Sequence, residues 1–204
     1  MRRISLLAVA LVGLVAIPAL AQTPPATTPV RVRGTVEKLD GKTLTVKSRD
    51  GQTMTIHLAD NFAVSALVKK TIADVKNNDY VASTGVKGTD GKLHCVELRI
   101  FPEARRGTAE GQFPWDGVPD STMTNATVTG IASATGGQVF KVKYKGNDSE
   151  FVAGPECQVF GYTGGDESLL KPGAAVFAVA QKKDDGTLTA AGITAEKDGV
   201  KPPM

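Results

Sequence analysis

The sequence predicts an all-β protein built twice over from one five-strand unit. Thr71 to Ile100 reads T-I-A-D-V-K-N-N-D-Y-V-A-S-T-G-V-K-G-T-D-G-K-L-H-C-V-E-L-R-I, and Asp166 to Ala195 reads D-E-S-L-L-K-P-G-A-A-V-F-A-V-A-Q-K-K-D-D-G-T-L-T-A-A-G-I-T-A. An internal repeat of this kind sets the architecture before any single residue does. Apolar and polar residues alternate with period two in both copies, the mark of half-buried strands. Asp-Gly and similar pairs break the alternation at intervals, where positive φ is needed for tight turns.

Residues 1–21 come first and are read apart from the fold. Arg2 and Arg3 precede the apolar run Leu6 to Ile17, and Ala19-Leu20-Ala21 closes it with small residues at the first and third positions. That is the layout of a cleavable signal peptide, with cleavage expected after Ala21 and a periplasmic destination. The run is short of the roughly 20 apolar residues that span a bilayer, and no later segment approaches that length. Without the two arginines of the leader, 22 basic residues stand against 21 acidic ones. So balanced a chain gives no general reason to bind a polyanion.

Residues 22–29 form a Pro/Thr-rich leader, expected to be extended and solvated. The first copy, residues 30–101, opens with Val30, Val32, Gly34 and Val36 alternating against Arg31, Arg33, Thr35 and Glu37. Asp40-Gly41 turns the chain into a strand holding Leu44 and Val46, and Asp50-Gly51 turns it again into Met54, Ile56 and Leu58. Three strands joined by such turns make a meander. Between Asp60 and Asn78 the alternation stops, and Val64, Leu67, Val68, Ile72 and Val75 recur at helix-like spacing, which predicts a short helical connection. Strands then resume over Asp79 to Lys87 and Leu93 to Phe101, either side of Asp90-Gly91.

The second copy, residues 123–197, repeats the order. Its strands are expected at Met123 to Ser133, Val139 to Tyr144, Glu150 to Ala153, Ala174 to Lys182 and Leu188 to Ala195, with a helical connection around Ser168 to Lys171. A short tail, residues 198–204, follows. Five strands with a helix after the third is the order of an OB-like, partly open barrel, so the prediction is two of these in tandem. A generic small sandwich is the alternative. Residues 102–122 belong to neither copy. Their glycines and prolines argue against regular structure, yet they hold Phe113 and Trp115, the latter the only tryptophan of the chain. Large aromatics seldom stay in water, which leaves two roles open for them: packing between the copies, or stacking on a ligand.

Several of these strings are similar to a known family. V-R-V-R-G-T-V-E-K-L-D-G-K-T-L-T-V-K-S-R-D-G, then I-F-P-E-A-R-R-G-T-A-E-G-Q-F-P-W-D and S-T-M-T-N-A-T-V, resemble exported bacterial, mainly alphaproteobacterial, proteins whose repeat is known only as domain of unknown function 5666. The resemblance runs down to the final D-G-V-K-P-P-M and implies no activity. Some members are labelled metal ABC transporter permease. A permease must cross the membrane several times, and nothing after residue 21 is apolar for long enough to cross once as a helix.

Residues able to do chemistry are few. His57 and His94 are the histidines and Cys95 and Cys157 the cysteines, whereas a transition-metal site gathers three or four such ligands at short spacing. Neighbours on a strand face opposite ways, which places His94 with Val96, Leu98 and Ile100 on the core side and Cys95 with Glu97 and Arg99 outside. His57 falls outside with Thr53 and Thr55. Export puts Cys95 and Cys157 in an oxidising compartment, where a disulfide stapling the two domains competes with two free thiols. The paired acidic residues Asp166-Glu167 and Asp184-Asp185 fall in turns and lack a calcium-loop spacing. No catalytic or phosphate-binding motif occurs, and few aromatics accompany the basic residues that a nucleic-acid groove would need.

The expectation is therefore a non-enzymatic periplasmic binding or assembly module of the cell envelope, with no cofactor and no nucleic-acid partner. Its partner would be another envelope protein or a glycan, held through a barrel face or through Phe113 and Trp115. The alternative is a periplasmic metal-handling protein that uses His57 or His94.

Overall fold

The computed structural model describes residues 27–203. The expected signal peptide and most of the Pro/Thr-rich leader lie outside the described residues. Among the described residues the fold is all-β, with twelve strands, and the helical segments are three single turns, Ile72–Asp74, Glu103–Arg105 and Glu167–Leu169. Among the described residues no helix is long and apolar enough to cross a membrane.

β1 (Thr28–Asp40), β2 (Thr43–Ser48) and β3 (Thr53–Lys70) form the expected meander, with register Leu39 to Leu44 and Leu44 to Ile56 across its turns. The alternation in the sequence sends Val32, Val36, Leu44, Val46 and Ile56 inward, each at most 1% exposed. Gly34 sits where β1 lies between two partners at close quarters. A Cβ there would stand 2.2 Å from the Lys47 carbonyl oxygen, so no side chain fits.

The barrel that this meander begins is closed by strands of the other copy. β4 (Tyr80–Lys87) and β5 (Leu93–Ile100), the last two strands of copy one, do not return to it. In their place β11 (Ala175–Lys182) pairs with β1, β12 (Leu188–Ala195) pairs with β11, and β12 runs parallel to β3 to complete a closed five-strand barrel. β4 and β5 join the meander of copy two instead, β7 (Ser121–Ala134), β8 (Gly137–Tyr144) and β9 (Asn147–Ala153): β4 pairs with β7, and β5 meets β9 through Leu93 to Phe151 and His94 to Val152. Each repeat was expected to close on itself with its own final strands. The pairings exchange those strands, and the expected partly open barrel is, for the first ring, a closed one.

The exchange follows from what replaces the expected helix. β3 does not stop near Asp60 but runs on to Lys70. Ala63 to Ala66 pair with β12, and Ser65 to Lys70 pair with β10 (Gln158–Gly164), the matching extension of copy two. With β12 along one edge as far as Ala66 and β10 along the other from Ser65, this backbone finds hydrogen-bond partners in extended form. Ala66 and Leu67 are adjacent and both buried, which happens on a strand only where both faces are covered, and this coverage is what imitated helical spacing. Eighteen residues of strand carry the chain roughly 60 Å in contour. Ile72–Asp74 therefore delivers β4 to the second ring and not back to the first.

The phase expected for β5 is also corrected. Cys95 is buried and His94 is exposed, the reverse of the reading from Leu98 and Ile100. A bulge explains it: Thr84 opposes Glu97 but Gly85 opposes Cys95, leaving Val96 over. One extra residue flips every side chain that precedes it to the other face.

Cys95 and Cys157 form a disulfide, with Cα atoms 5.2 Å apart. Because β5 has crossed over, the bond lies inside the second core, among Leu98, Phe140, Val142 and Phe151. It joins copy one to copy two in sequence while stapling a single ring in space. With the cysteines separated by 62 positions in sequence, chain-entropy arguments assign such a bond about 4 kcal/mol. Urea unfolding of the Cys95→Ala/Cys157→Ala double variant is expected to show a loss of about 2–4 kcal/mol. An unchanged midpoint would show that the exchanged strand holds without its staple.

Candidate functional site

The outward faces of the two rings meet around Trp115. The segment between the copies, expected to lack regular structure, contains a twelfth strand, β6 (Gly111–Trp115), paired with the start of β7 so that Phe113 opposes Met123 and Trp115 opposes Ser121. Period two puts Phe113 and Trp115 on one face of β6. That face turns toward β1 of the first barrel, where Arg31 and Arg33 project on the side away from the core. The first of the two open roles, packing between the copies, is thus filled in part by Trp115.

Three guanidinium groups surround the indole: Arg31 and Arg33 at 4.8 Å from its centroid and Arg99 at 5.8 Å. Phe177, directly opposite Arg33 on β11, meets the ring edge-on at 6.3 Å. Such cation–aromatic contacts strengthen as water is withdrawn, to about 2 kcal/mol. Arg33 is the fixed member, only 4% exposed, and it donates to both carboxylate oxygens of Asp116, at 2.8 and 3.0 Å. Burial by itself raises the pKa of Asp116, but the hydrogen bonds and charge of Arg33, aided by Arg31, outweigh it and hold the carboxyl below its ordinary 3.8. Arg99 is equally buried. Its Nε lies 2.8 Å from Glu97 Oε1, near enough to offset charge but in a geometry that forms no hydrogen bond, and its Nη2 has no partner among the described residues.

Beside the indole opens a cleft of about 410 Å³. Its aromatic walls are Phe101, Tyr162, Phe113, Trp115 and Phe177. Phe101 and Tyr162 stack with centroids 5.0 Å apart, and Arg105 lies over both, 4.3 Å from the Tyr162 centroid. Arg31, Arg99 and Arg105 all reach the cleft, and among the described residues no Asp or Glu lines it. Val179, 46% exposed and opposite Arg31 on β11, adds uncovered apolar surface at the rim. One edge is held by the Thr108 carbonyl, which accepts hydrogen bonds from Tyr80 Oη and Asn125 Nδ2. Burial, then the charge of Glu110, push the Tyr80 hydroxyl up to about 12, so it remains a donor throughout the neutral range. A wider depression of about 690 Å³ near Lys70, Gly136 and Gly154 has one charged side chain and no aromatic. The smaller cleft is the one whose chemistry suits recognition.

The histidines are not brought together. His57 is exposed on β3 of the first barrel, and His94 is exposed on β5 of the second ring, where its Nε2 lies 3.0 Å from Asp90 Oδ1. Among the described residues no three His, Cys, Asp or Glu side chains gather in a metal-binding group. The expected aromatic pair does lie at the cleft. Its basic partners Arg31, Arg99 and Arg105 were not foreseen: the outward strand phase of Arg31 and Arg99 reads as solvent exposure, and Arg105 sits in the single turn Glu103–Arg105, within the segment expected to lack regular structure. Comparison with family models, curated proteins and solved structures finds no match to this chain.

Two predictions follow from the packing of Trp115. A Cβ at Gly117 would stand 2.5 Å from the indole Nε1, so Gly117→Ala is expected to displace the ring and raise acrylamide quenching of the single tryptophan, while the thermal midpoint falls by only a few degrees. Unchanged quenching would mean that the indole is not held there. Because the folded pKa of Asp116 is depressed, its contribution is present above the ordinary carboxyl value of 3.8 and is lost as pH falls below it. Trp115 emission should stay constant from neutral pH down to about 4 and shift below that; Asp116→Asn should show the shifted spectrum at neutral pH.

Proposed function

We propose that this protein is a non-enzymatic, periplasmic binding module of the cell envelope, built on two strand-exchanged OB-like barrels, with the cleft beside Trp115 as its binding site. The observation that carries the reading is the conjunction of five aromatic side chains and three arginines in one cleft that no carboxylate lines. Pockets that recognise ligands pair a mostly apolar wall with a few convergent polar groups, in volumes of about 300–1,000 Å³. The OB-like description is supported by the order of pairing. Numbering the strands of each ring from its meander, the circuit runs first, second, third, fifth, fourth and back to first in both. The periplasmic assignment rests on the signal-like residues 1–21 and agrees with the Cys95–Cys157 disulfide, a bond favoured in oxidising compartments. The similarity to the domain 5666 repeat of exported proteins points the same way.

The test is affinity capture of envelope components on the immobilised mature protein, compared with Trp115→Ala and Arg31→Gln. Arg31 is exposed, and its side chain meets only a 3.7 Å approach to Asp116 and the outer faces of Trp115 and Phe113, so Arg31→Gln is expected to leave the fold intact even if the tryptophan variant unfolds. Loss of capture by a folded Arg31→Gln or Trp115→Ala protein supports the cleft. Undiminished capture by both folded variants would place binding elsewhere.

A further inference from the structure

The arginines around the cleft differ in how far their donors are already committed. Asp116 takes both terminal nitrogens of Arg33, and Glu103 takes Arg106, just beyond the cleft, which it meets at 2.6 Å through both Nε and Nη2. Arg99 has its charge offset by Glu97 beside it, although among the described residues neither its Nε nor its Nη2 is hydrogen-bonded. Arg105 has no carboxylate within salt-bridge distance among the described residues, and Arg31 has only the distant oxygen of an Asp116 that already serves Arg33. Both of these guanidiniums lie on aromatic rings, Arg31 over Trp115 and Phe113 and Arg105 over Tyr162 and Phe101. A guanidinium stacked by one face keeps its N–H donors in its own plane, directed past the ring and restrained in orientation, which is the arrangement that grips a carboxylate at two points.

Charge and shape then narrow the ligand. Three guanidiniums with no lining carboxylate give the cleft a positive potential that its apolar walls intensify. Its volume of about 410 Å³ lies within the roughly 300–1,000 Å³ of pockets that enclose small molecules. Aromatic walls offer edge-to-face and offset-stacked contacts to an aromatic ring.

We propose that the cleft takes a small organic anion, a carboxylate borne on a planar apolar ring system, with Arg31 and Arg105 donating to the carboxylate and the aromatic walls receiving the ring. This rests on the cleft being the binding site, as proposed above. Both arginines are positioned by the rings they cover, so the site is assembled before the ligand arrives.

The experiment follows the single indole N–H signal of Trp115 in the full oxidised mature protein by NMR. The probes are 1-naphthoate and its neutral counterpart 1-naphthamide. A saturable shift with naphthoate is expected, with affinity at least tenfold above that for naphthamide. Arg31→Gln and Arg105→Gln should each weaken naphthoate about tenfold, the scale of a charge-assisted hydrogen bond, and leave naphthamide unaffected. Lys42→Gln, which removes an equal charge at an exposed pair with Asp60, should change neither. Equal affinity for the two probes would overturn the anionic ligand while leaving the cleft as a binding site. An equal loss in Lys42→Gln would overturn it too, by showing attraction to net charge alone. Absence of a saturable shift with either probe would overturn the inference, and capture by the Arg31 and Trp115 variants would then decide the wider reading by itself.

Discussion

The architecture depends on one stretch of backbone, Ala63 to Lys70, remaining extended. β12 pairs along Ala63 to Ala66 and β10 along Ser65 to Lys70, so the backbone finds hydrogen-bond partners while extended, and a strand that long carries the chain away from the ring it began in. From this follow the crossing of β4 and β5 into the second ring, the closure of the first barrel by β11 and β12, and the position of the Cys95–Cys157 bond inside one core. The arrangement is that of a domain-swapped dimer whose two protomers have been joined into one chain.

The duplication survives in the registers. Leu188 opposite Ile56 in the first ring becomes Leu93 opposite Phe151 in the second, and Thr194 opposite Ser65 becomes Arg99 opposite Phe160, each shifted by the spacing that separates Thr71 from Asp166. Against that symmetry the differences stand out. On one side of the pseudo-two-fold, Ser65 and Thr194 satisfy each other through a 3.2 Å hydroxyl contact. On the other, Arg99 occupies the equivalent place, buried beside Trp115 with a donor unpaired. The unrepeated β6 supplies the indole and the residue after it is Asp116, so the cleft exists on one side only. Symmetric closure builds the frame, and the broken symmetry builds the site.

Much of this was legible in the residues. Period-two alternation and Asp-Gly turns located β1, β2, β4, β5, β8, β11 and β12 closely, and the inward set Val32, Val36, Leu44, Val46 and Ile56 is the core that was expected. The unusual placement of Phe113 and Trp115 in a glycine- and proline-rich segment marked the site. The errors have local causes. A strand covered on both faces loses its alternation, so Val64, Leu67 and Val68 resembled a helix. A single bulge at Val96 exchanged the faces of His94 and Cys95, and no feature of the sequence announces a bulge of that kind.

The all-β class, the meander and closing strands of each copy, the turns and the aromatic pair are written in the residues, because these depend on neighbouring residues and on which side of a strand is apolar. Long-range packing settles which copy each final strand joins, that Arg33 and Arg99 are buried although their strand phase faces outward, and that Arg31 and Arg105 share a cleft with Trp115. The reason is the same in each case. A strand pairs equally well with either copy of a duplicated partner, and an outward face reads as solvent until another ring is packed against it, so the outcome rests on long-range contacts that no local pattern records.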